Sequence, residues 1–278
     1  MAAISISYQG EPGAFSEQAA RSFFGAKAKL TPREHFKDVF RSVSQGRTRF
    51  GVIPIENSVF GSVHENYDLL LRHRLSIVGE VTVRIRHQLL VLPGVKRRDL
   101  RFVFSHPQAL GQCEEFLRAM KGVKAMAYYD TAGAAKMIRE EGRRNAAAIA
   151  SIQAARAYKL RVLNRDIEQN RQNFTRFLVL ARAAQPPLRR AKTSLVFSLR
   201  STPGSLFKAL GVFALRDINL LKIESRPLAG KPWEYLFYLD VLGSIRDKKI
   251  IEALNHLKEV STFKRVLGSY PPGKTVKG

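Results

Sequence analysis

From Ile4 to about Ala181 short apolar runs alternate with amphipathic stretches. Buried strands read as apolar runs and surface helices as 3.6-residue stripes, so this alternation predicts βαβ units around a mostly parallel sheet. Strands are predicted over Ile4–Tyr8, Gly51–Ile55, Leu75–Val83, His87–Leu92, Phe102–Ser105, Val123–Tyr128, Ala146–Ala150 and Arg176–Ala181. Helices are predicted over Glu17–Phe24, Phe36–Gln45, Val63–His73, Pro107–Met120, Ala132–Glu140 and Ile152–Tyr158.

The segment Ala183–Ala191, with Pro186-Pro187 and Arg189-Arg190, carries no apolar periodicity and marks a boundary. Beyond it, Ser194–Leu199, Ser205–Arg216, Asn219–Ser225, Trp233–Leu242, Asp247–Val260 and Phe263–Ser269 spell βαββαβ. That order is ferredoxin-like: an antiparallel four-stranded sheet with two helices on one face, its edges or other face left for a second copy. The expected division is a first domain over residues 1–182, a linker at 183–191, a second domain at 192–270 and a loose tail at 271–278.

The chain has 278 residues, 45% of them apolar, enough for a core in each of two domains and too many for a disordered chain. Its formal net charge of +24 favours an anionic partner or substrate without choosing one. The single cysteine, Cys113, has no intramolecular partner and fits a reducing compartment. No apolar run approaches the roughly 18 residues of a membrane span. Met1–Gly10 has neither a basic start nor a long apolar stretch, so neither a signal nor a transit peptide is expected and the location expected is cytoplasmic.

Three predicted strand ends lead into helices that open with a hydroxyl residue: Ser16 after Gly10–Phe15, Thr131 after Asp130, and Ser151 after Ala150. A helix start presents unpaired N–H groups, so each is either an ordinary N-cap or a seat for carboxylate or phosphate. Gly10–Ser16 lacks the lysine of a phosphate loop and the spacing of a dinucleotide fingerprint, which argues against nucleotide binding. Glu56, Asn57 and Ser58 follow a buried strand and either satisfy a turn or face a ligand. Ser105-His106-Pro107-Gln108 repeats the arrangement, His106 being a proton carrier or a hydrogen-bonded structural histidine. Asn173-Phe174-Thr175-Arg176-Phe177 pairs a hydroxyl with a guanidinium before an apolar strand, a combination suited to a carboxylate substrate and common on surfaces as well. The six histidines fall at no metal-ligand spacing, no CxxC or Gly-x-Ser-x-Gly occurs, and no metal or cofactor is expected. Scattered pairs such as Lys96-Arg97-Arg98 lack interleaved aromatics, so a solvated basic surface is expected and no nucleic acid.

Taken in order, these motifs resemble the prephenate or arogenate dehydratase family with a C-terminal ACT regulatory domain. The carrying segments are Tyr8–Ser16, Pro54–Ser58, Ser105–Leu110, Asp130–Ala135, Asn173–Phe177, Pro203–Phe207 and Glu224–Pro227. The resemblance implies a catalytic domain of two α/β lobes, like a periplasmic binding protein, that holds substrate between them, with lobe crossings near Val83 and Thr175. It carries an essential role onto Thr175, and Arg176 and Phe177 of the same motif are expected to be catalytic with it. Substrate binding is expected of Ser16, Glu56, Asn57, Ser58, His106, Gln108, Thr131 and Ser151. It also implies phenylalanine binding at an ACT dimer interface, carried onto Gly204, Ser205, Leu206, Asn219, Glu224, Ser225, Arg226 and Pro227. Ala14 and Asn66–Leu75 resemble the plant-type pattern; Gln88, Gln169, Ser205 and Phe207 depart from frequent family residues.

The implied reaction removes CO2 and hydroxide from a cyclohexadienol, giving phenylpyruvate from prephenate or phenylalanine from arogenate. Thr175 would donate to the leaving hydroxyl while Arg176 or helix-start amides near Ser16, Thr131 and Ser151 hold the carboxylates. A homodimer or homotetramer with phenylalanine as effector and no membrane partner is expected. A noncatalytic amino-acid sensor with the same cleft and a nucleic-acid-binding protein are the rival classes.

Overall fold

The structure, a computed structural model, describes residues 4–184, 190–228 and 230–276. They fall into two compact units: one holds the chain up to His73, Val81–Val179 and the end from Lys274, the other Arg74–Glu80 and Leu180–Gly273.

The first unit opens with β1 (Ser5–Gln9), α1 (Phe15–Phe24), β2 (Lys29–Arg33), α2 (Phe36–Ser44), β3 (Phe50–Asn57), a short β4 (Gly61–Ser62), α3 (His64–Arg72) and β5 (Ser76–Arg84). β1 runs parallel to both β2 and β3, and Ile6, Val52, Ile53 and Ile55 are buried in this first sheet. Val39, Phe40 and Val43 recur at helical spacing in α2 and are fully buried, the stripe that seats the helix.

The chain leaves that sheet after Arg84 and builds a second one from β6 (Gln88–Val91), β7 (Phe102–Ser105), α4 (Pro107–Gln112), α5 (Glu114–Arg118), β8 (Lys124–Ala127), α6 (Thr131–Glu140), β9 (Ala146–Ala150), α7 (Ile152–Ala157) and β10 (Arg161–Asn164). Its order is β10-β6-β9-β7-β8. All five residues of β9 are buried and four are alanine, which lets the alanine-rich α6 pack closely beside it. β11 (Phe174–Ala181) returns to the first sheet between β3 and β5.

The second unit holds β12 (Lys192–Leu199), α8 (Ser205–Ala214), β13 (Leu220–Pro227), β14 (Tyr235–Leu242), α9 (Lys248–Val260) and β15 (Ser261–Tyr270), an antiparallel sheet of order β13-β14-β12-β15. Leu195, Phe197, Phe213, Leu239, Val241 and Leu257 form its core. A buried ionic group also lies here: the Lys192 ammonium is 2.9 Å from Glu80 and 3.3 Å from Asp240.

The α/β class and the βαββαβ order are those expected from the sequence. Four local expectations are corrected. The single helix expected over Pro107–Met120 breaks at Cys113, because the Gln169 amide takes the Gln112 carbonyl and its side chain caps Glu114 N. The end expected to be loose forms β16 (Lys274–Val276), parallel to β5. The second sheet is mixed, since β6 runs antiparallel to β9 and to β10. β2 and β10 were not expected as strands. Of the expected linker, residues 185–189, including Pro186, Pro187 and Arg189, lie outside the described residues.

Candidate active site

A cavity of about 600 Å³ opens in the first unit. The turn from β1 into α1 contributes Gln9, Ala14, Phe15 and Ser16; the β3 end and the start of α3 contribute Pro54, Asn57 and His64; the segment between β5 and β6 contributes Ile85 and His87. The wall is completed by His106, Gln108 and Gln112, by Tyr129, Asp130 and Thr131, and by Thr175 and Phe177 of β11.

Successive side chains of a strand point to opposite faces, so Thr175 and Phe177 share one face of β11 and Arg176 takes the other. Thr175 is 8% exposed, and its Oγ1 accepts a hydrogen bond of 2.9 Å from Asn57 Nδ2. The same amide nitrogen donates to Asn173 Oδ1 at 2.7 Å, while Asn57 Oδ1 accepts from the amides of Val59 and Phe60. Asn57 is thereby fixed at both ends. Because Thr175 receives a hydrogen, its own hydroxyl hydrogen is left to donate.

Arg176 does not reach the cavity. Its Nε lies 3.1 Å from Glu56 Oε1, neither residue lines the cavity wall, and the pair joins β3 to β11. Ser58 is turned away as well: its hydroxyl donates to Gln172 O at 2.8 Å and accepts from Phe174 N at 2.9 Å.

Two of the three expected anion seats are already occupied by side chains. At α6, Asp130 Oδ1 accepts from Ala132 N and Gly133 N at 2.6 and 3.0 Å. At α7, Ser151 caps Ala154 N, donates to Gly13 O at 2.6 Å and stays outside the cavity. Of the three, α1 starts without a side-chain cap, and its first residues Phe15 and Ser16 line the wall, as do the likewise uncapped starts of α2 at Phe36 and α3 at His64.

Among residues the sequence reasoning passed over, His87 is 2% exposed; its Nε2 is 2.5 Å from Gln112 Oε1, and Phe15 meets its ring edge-on. Burial holds its imidazole down at a pKa of about 4, so the ring is neutral. His106 Nδ1 accepts from Gln108 N at 3.3 Å, the N-cap role, and burial lowers its pKa too. Asp130 is pushed up by burial, against the pull of its two amide bonds. Asp130 was legible as an N-cap of Thr131 onward, and Gln112 lies four residues, one helical turn, beyond Gln108; nothing local distinguishes His87.

In the second unit a cavity of about 320 Å³ is lined by Leu199–Pro203, Ser205, Leu206 and Trp233–Tyr235 with Phe237. Of the residues expected to hold an effector, Ser205 and Leu206 line it. Gly204 caps α8 in the left-handed conformation at φ 77°, and Asn219 and Glu224–Pro227 lie elsewhere, the last four on the edge strand β13.

A family model described as prephenate dehydratase matches residues 6–185, and one described as ACT domain matches 193–259. This chain belongs to the prephenate dehydratase family. Prephenate dehydratases are hydro-lyases. A relative named arogenate dehydratase/prephenate dehydratase 2, chloroplastic, of Arabidopsis thaliana is 50% identical over 284 residues, covering 98% of this chain and 74% of its own. A prephenate dehydratase of Arthrobacter aurescens, solved in complex with L-Phe, is 31% identical at a TM-score of 0.89, covering 96% of this chain and 90% of that one. A structure described as GqqA, a novel type of quorum quenching acylase, is 35% identical at a TM-score of 0.88, covering 96% and 98%. Among the described residues no helix is long and apolar enough to cross a membrane.

Proposed function

We propose that this dehydratase decarboxylates and dehydrates prephenate to phenylpyruvate on the route to L-phenylalanine, with arogenate as the alternative substrate, giving phenylalanine directly. One observation carries the reading: in the cleft wall the Asn57 amide donates to the Thr175 hydroxyl, which keeps that hydroxyl's own hydrogen for a ligand. Both substrates offer a hydroxyl and a ring carboxylate, which leave together as the ring becomes aromatic. In this reading Thr175 donates to the departing oxygen and the uncapped amides of α1 hold a carboxylate. Phe177, 2% exposed in the wall, shields the site from water, which strengthens both interactions.

Regulation by phenylalanine is supported by the ACT domain match and by the L-Phe bound in the Arthrobacter structure. Effector binding is assigned to the Ser205–Leu206 side of the α8 start, completed in a homodimer or homotetramer by the Glu224–Pro227 edge of a second copy. The reading places the enzyme in the cytoplasm, although the Arabidopsis relative is named chloroplastic.

Initial rates on prephenate and arogenate, measured side by side, test the catalytic reading. Turnover of prephenate supports it, a strong preference for arogenate installs the alternative, and inactivity on both removes it. Gel filtration and a phenylalanine titration test the rest; a monomer indifferent to phenylalanine removes the regulatory part.

A further inference from the structure

An alcohol is a weak acid, so a hydrogen bond from Thr175 eases the departing oxygen without supplying the proton that turns hydroxide into water. The cleft needs an acid. We propose that Asp130 is that acid, protonating the leaving hydroxyl through Oδ2, with His106 beside it; the proposal rests on the dehydratase reading above.

Asp130 lines the same cavity wall as Thr175 and is 8% exposed. Its Oδ1 is held by two backbone N–H groups of α6, which act only as donors and so place the carboxyl proton on the other oxygen. Room for Oδ2 is made by Gly10, whose φ is +106°: a Cβ there would stand 2.7 Å from Oδ2. The ionisable groups around Asp130 are His106 at the start of α4, Glu11 in the turn after β1, and the phenols of Tyr129 and Tyr158. Glu11 is itself paired with Lys136 at 3.2 Å and accepts from Tyr129. Burial and Glu11 favour the protonated acid, while the amides and His106 oppose them; the net direction is upward. A dicarboxylate arriving in the cleft adds negative charge and strengthens that direction.

The step balances. The bond from the ring to its carboxylate breaks and releases CO2, its electron pair enters the ring, and the ring C–O bond breaks with its pair on oxygen. That oxygen takes the Asp130 proton and leaves as water. Asp130 remains as carboxylate and regains a proton from solvent, with neighbouring His106 as the carrier.

The test compares the unmodified chain with Asp130→Asn and Asp130→Ser, both of which keep an N-cap acceptor, and with Asp130→Glu. Phenylpyruvate formation from prephenate is followed between about pH 5 and 9 alongside thermal unfolding. The expected kcat of the Asn and Ser variants is lower by roughly 10²- to 10⁴-fold with KM little changed and Tm preserved. Partial recovery is expected in Asp130→Glu. The unmodified enzyme should lose kcat on the alkaline side as the acid ionises, a limb missing from Asp130→Asn. A flat alkaline limb in the unmodified enzyme, or kcat within about tenfold in Asp130→Asn, overturns the proposal even where the Ser variant fails to fold. Inactivity of the unmodified enzyme on both substrates removes the dehydratase reading instead, before any variant is compared.

Discussion

Asn57 Nδ2 stands 2.9 Å from Thr175 Oγ1, tying the end of β3 to the start of β11 across a sheet whose partners lie 118 positions apart in sequence. The donor is an amide nitrogen, so the hydroxyl accepts in this bond and keeps its own hydrogen to donate elsewhere. Thr175→Val keeps the shape and removes that donor. Its kcat should fall by more than about tenfold, or ~1.4 kcal/mol of barrier, whereas Thr175→Ser should retain most activity. Asn57→Leu should cost a comparable factor, and the double variant little more than either alone, because both act through one hydrogen bond. Steady-state kinetics on prephenate decide it; a Thr175→Val enzyme as fast as the unmodified one would remove Thr175 from the mechanism.

The sequence made much of this fold legible wherever burial is two-sided. β9, with five buried positions, reads as an apolar run, and β12, with eight, is marked by its apolar centre Leu195–Phe197; both were placed within two residues. The edge strands β2 and β10 escaped because one flank faces no partner strand and their side chains, Lys29, Pro32, Arg161 and Asn164 among them, are polar or turn-forming. In the site, Thr175, Asn57, His106 and Gln108 were recognisable from motifs, but a motif gives no direction to a side chain. Strand alternation turned Arg176 away from the cleft and onto Glu56 at 3.1 Å. Serine at a helix start was equally ambiguous: Ser16 faces the cavity, and Ser151 is spent on Gly13 O and Ala154 N.

Gly13 is required by both conformation and space. Its φ is +89°, and a Cβ there would lie 2.5 Å from Ala154 Cα, a backbone atom at the start of α7. Gly13→Ala should therefore destabilise by at least about 2–3 kcal/mol and lower kcat, since the turn carries the uncapped start of α1. Gly142→Ala, at φ +63° with open space around it, should cost only about 1 kcal/mol and leave kinetics unchanged. Urea unfolding of the two variants makes the comparison, and equal losses would contradict it.

His87 should make stability fall toward acid pH. Its folded pKa of about 4 lies below the ordinary 6.5, so the unfolded chain binds the extra proton between those values. The contribution is complete above about pH 6.5 and is lost as pH drops toward 4, by up to about 3 kcal/mol. Buried Glu168, held above its usual range, works in the opposite direction and gains as pH falls. The informative quantity is accordingly the difference between the unmodified chain and His87→Leu, measured by urea unfolding at several pH values. That difference should shift in favour of the variant by a few kcal/mol on acidification, and a pH-independent difference would show that the imidazole is not held neutral by burial.

Lys192 is a counter-charge to two buried carboxylates. Its side chain is 6% exposed and those of Glu80 and Asp240 are each 7% exposed, at 2.9 and 3.3 Å. Asp240 is further engaged by the Ser194 hydroxyl at 2.5 Å, and Glu80 accepts from Gly273 N at 2.9 Å. Removing one partner of a buried pair costs far more than removing all, because the charge left behind has no water to solvate it. Lys192→Met should destabilise by about 3–5 kcal/mol at neutral pH. The triple change Lys192→Met, Glu80→Gln and Asp240→Asn should recover most of the loss at neutral pH. Denaturant unfolding of the single and triple variants measures both effects, and a single variant with a deficit below about 1 kcal/mol would mean that solvent reaches the group.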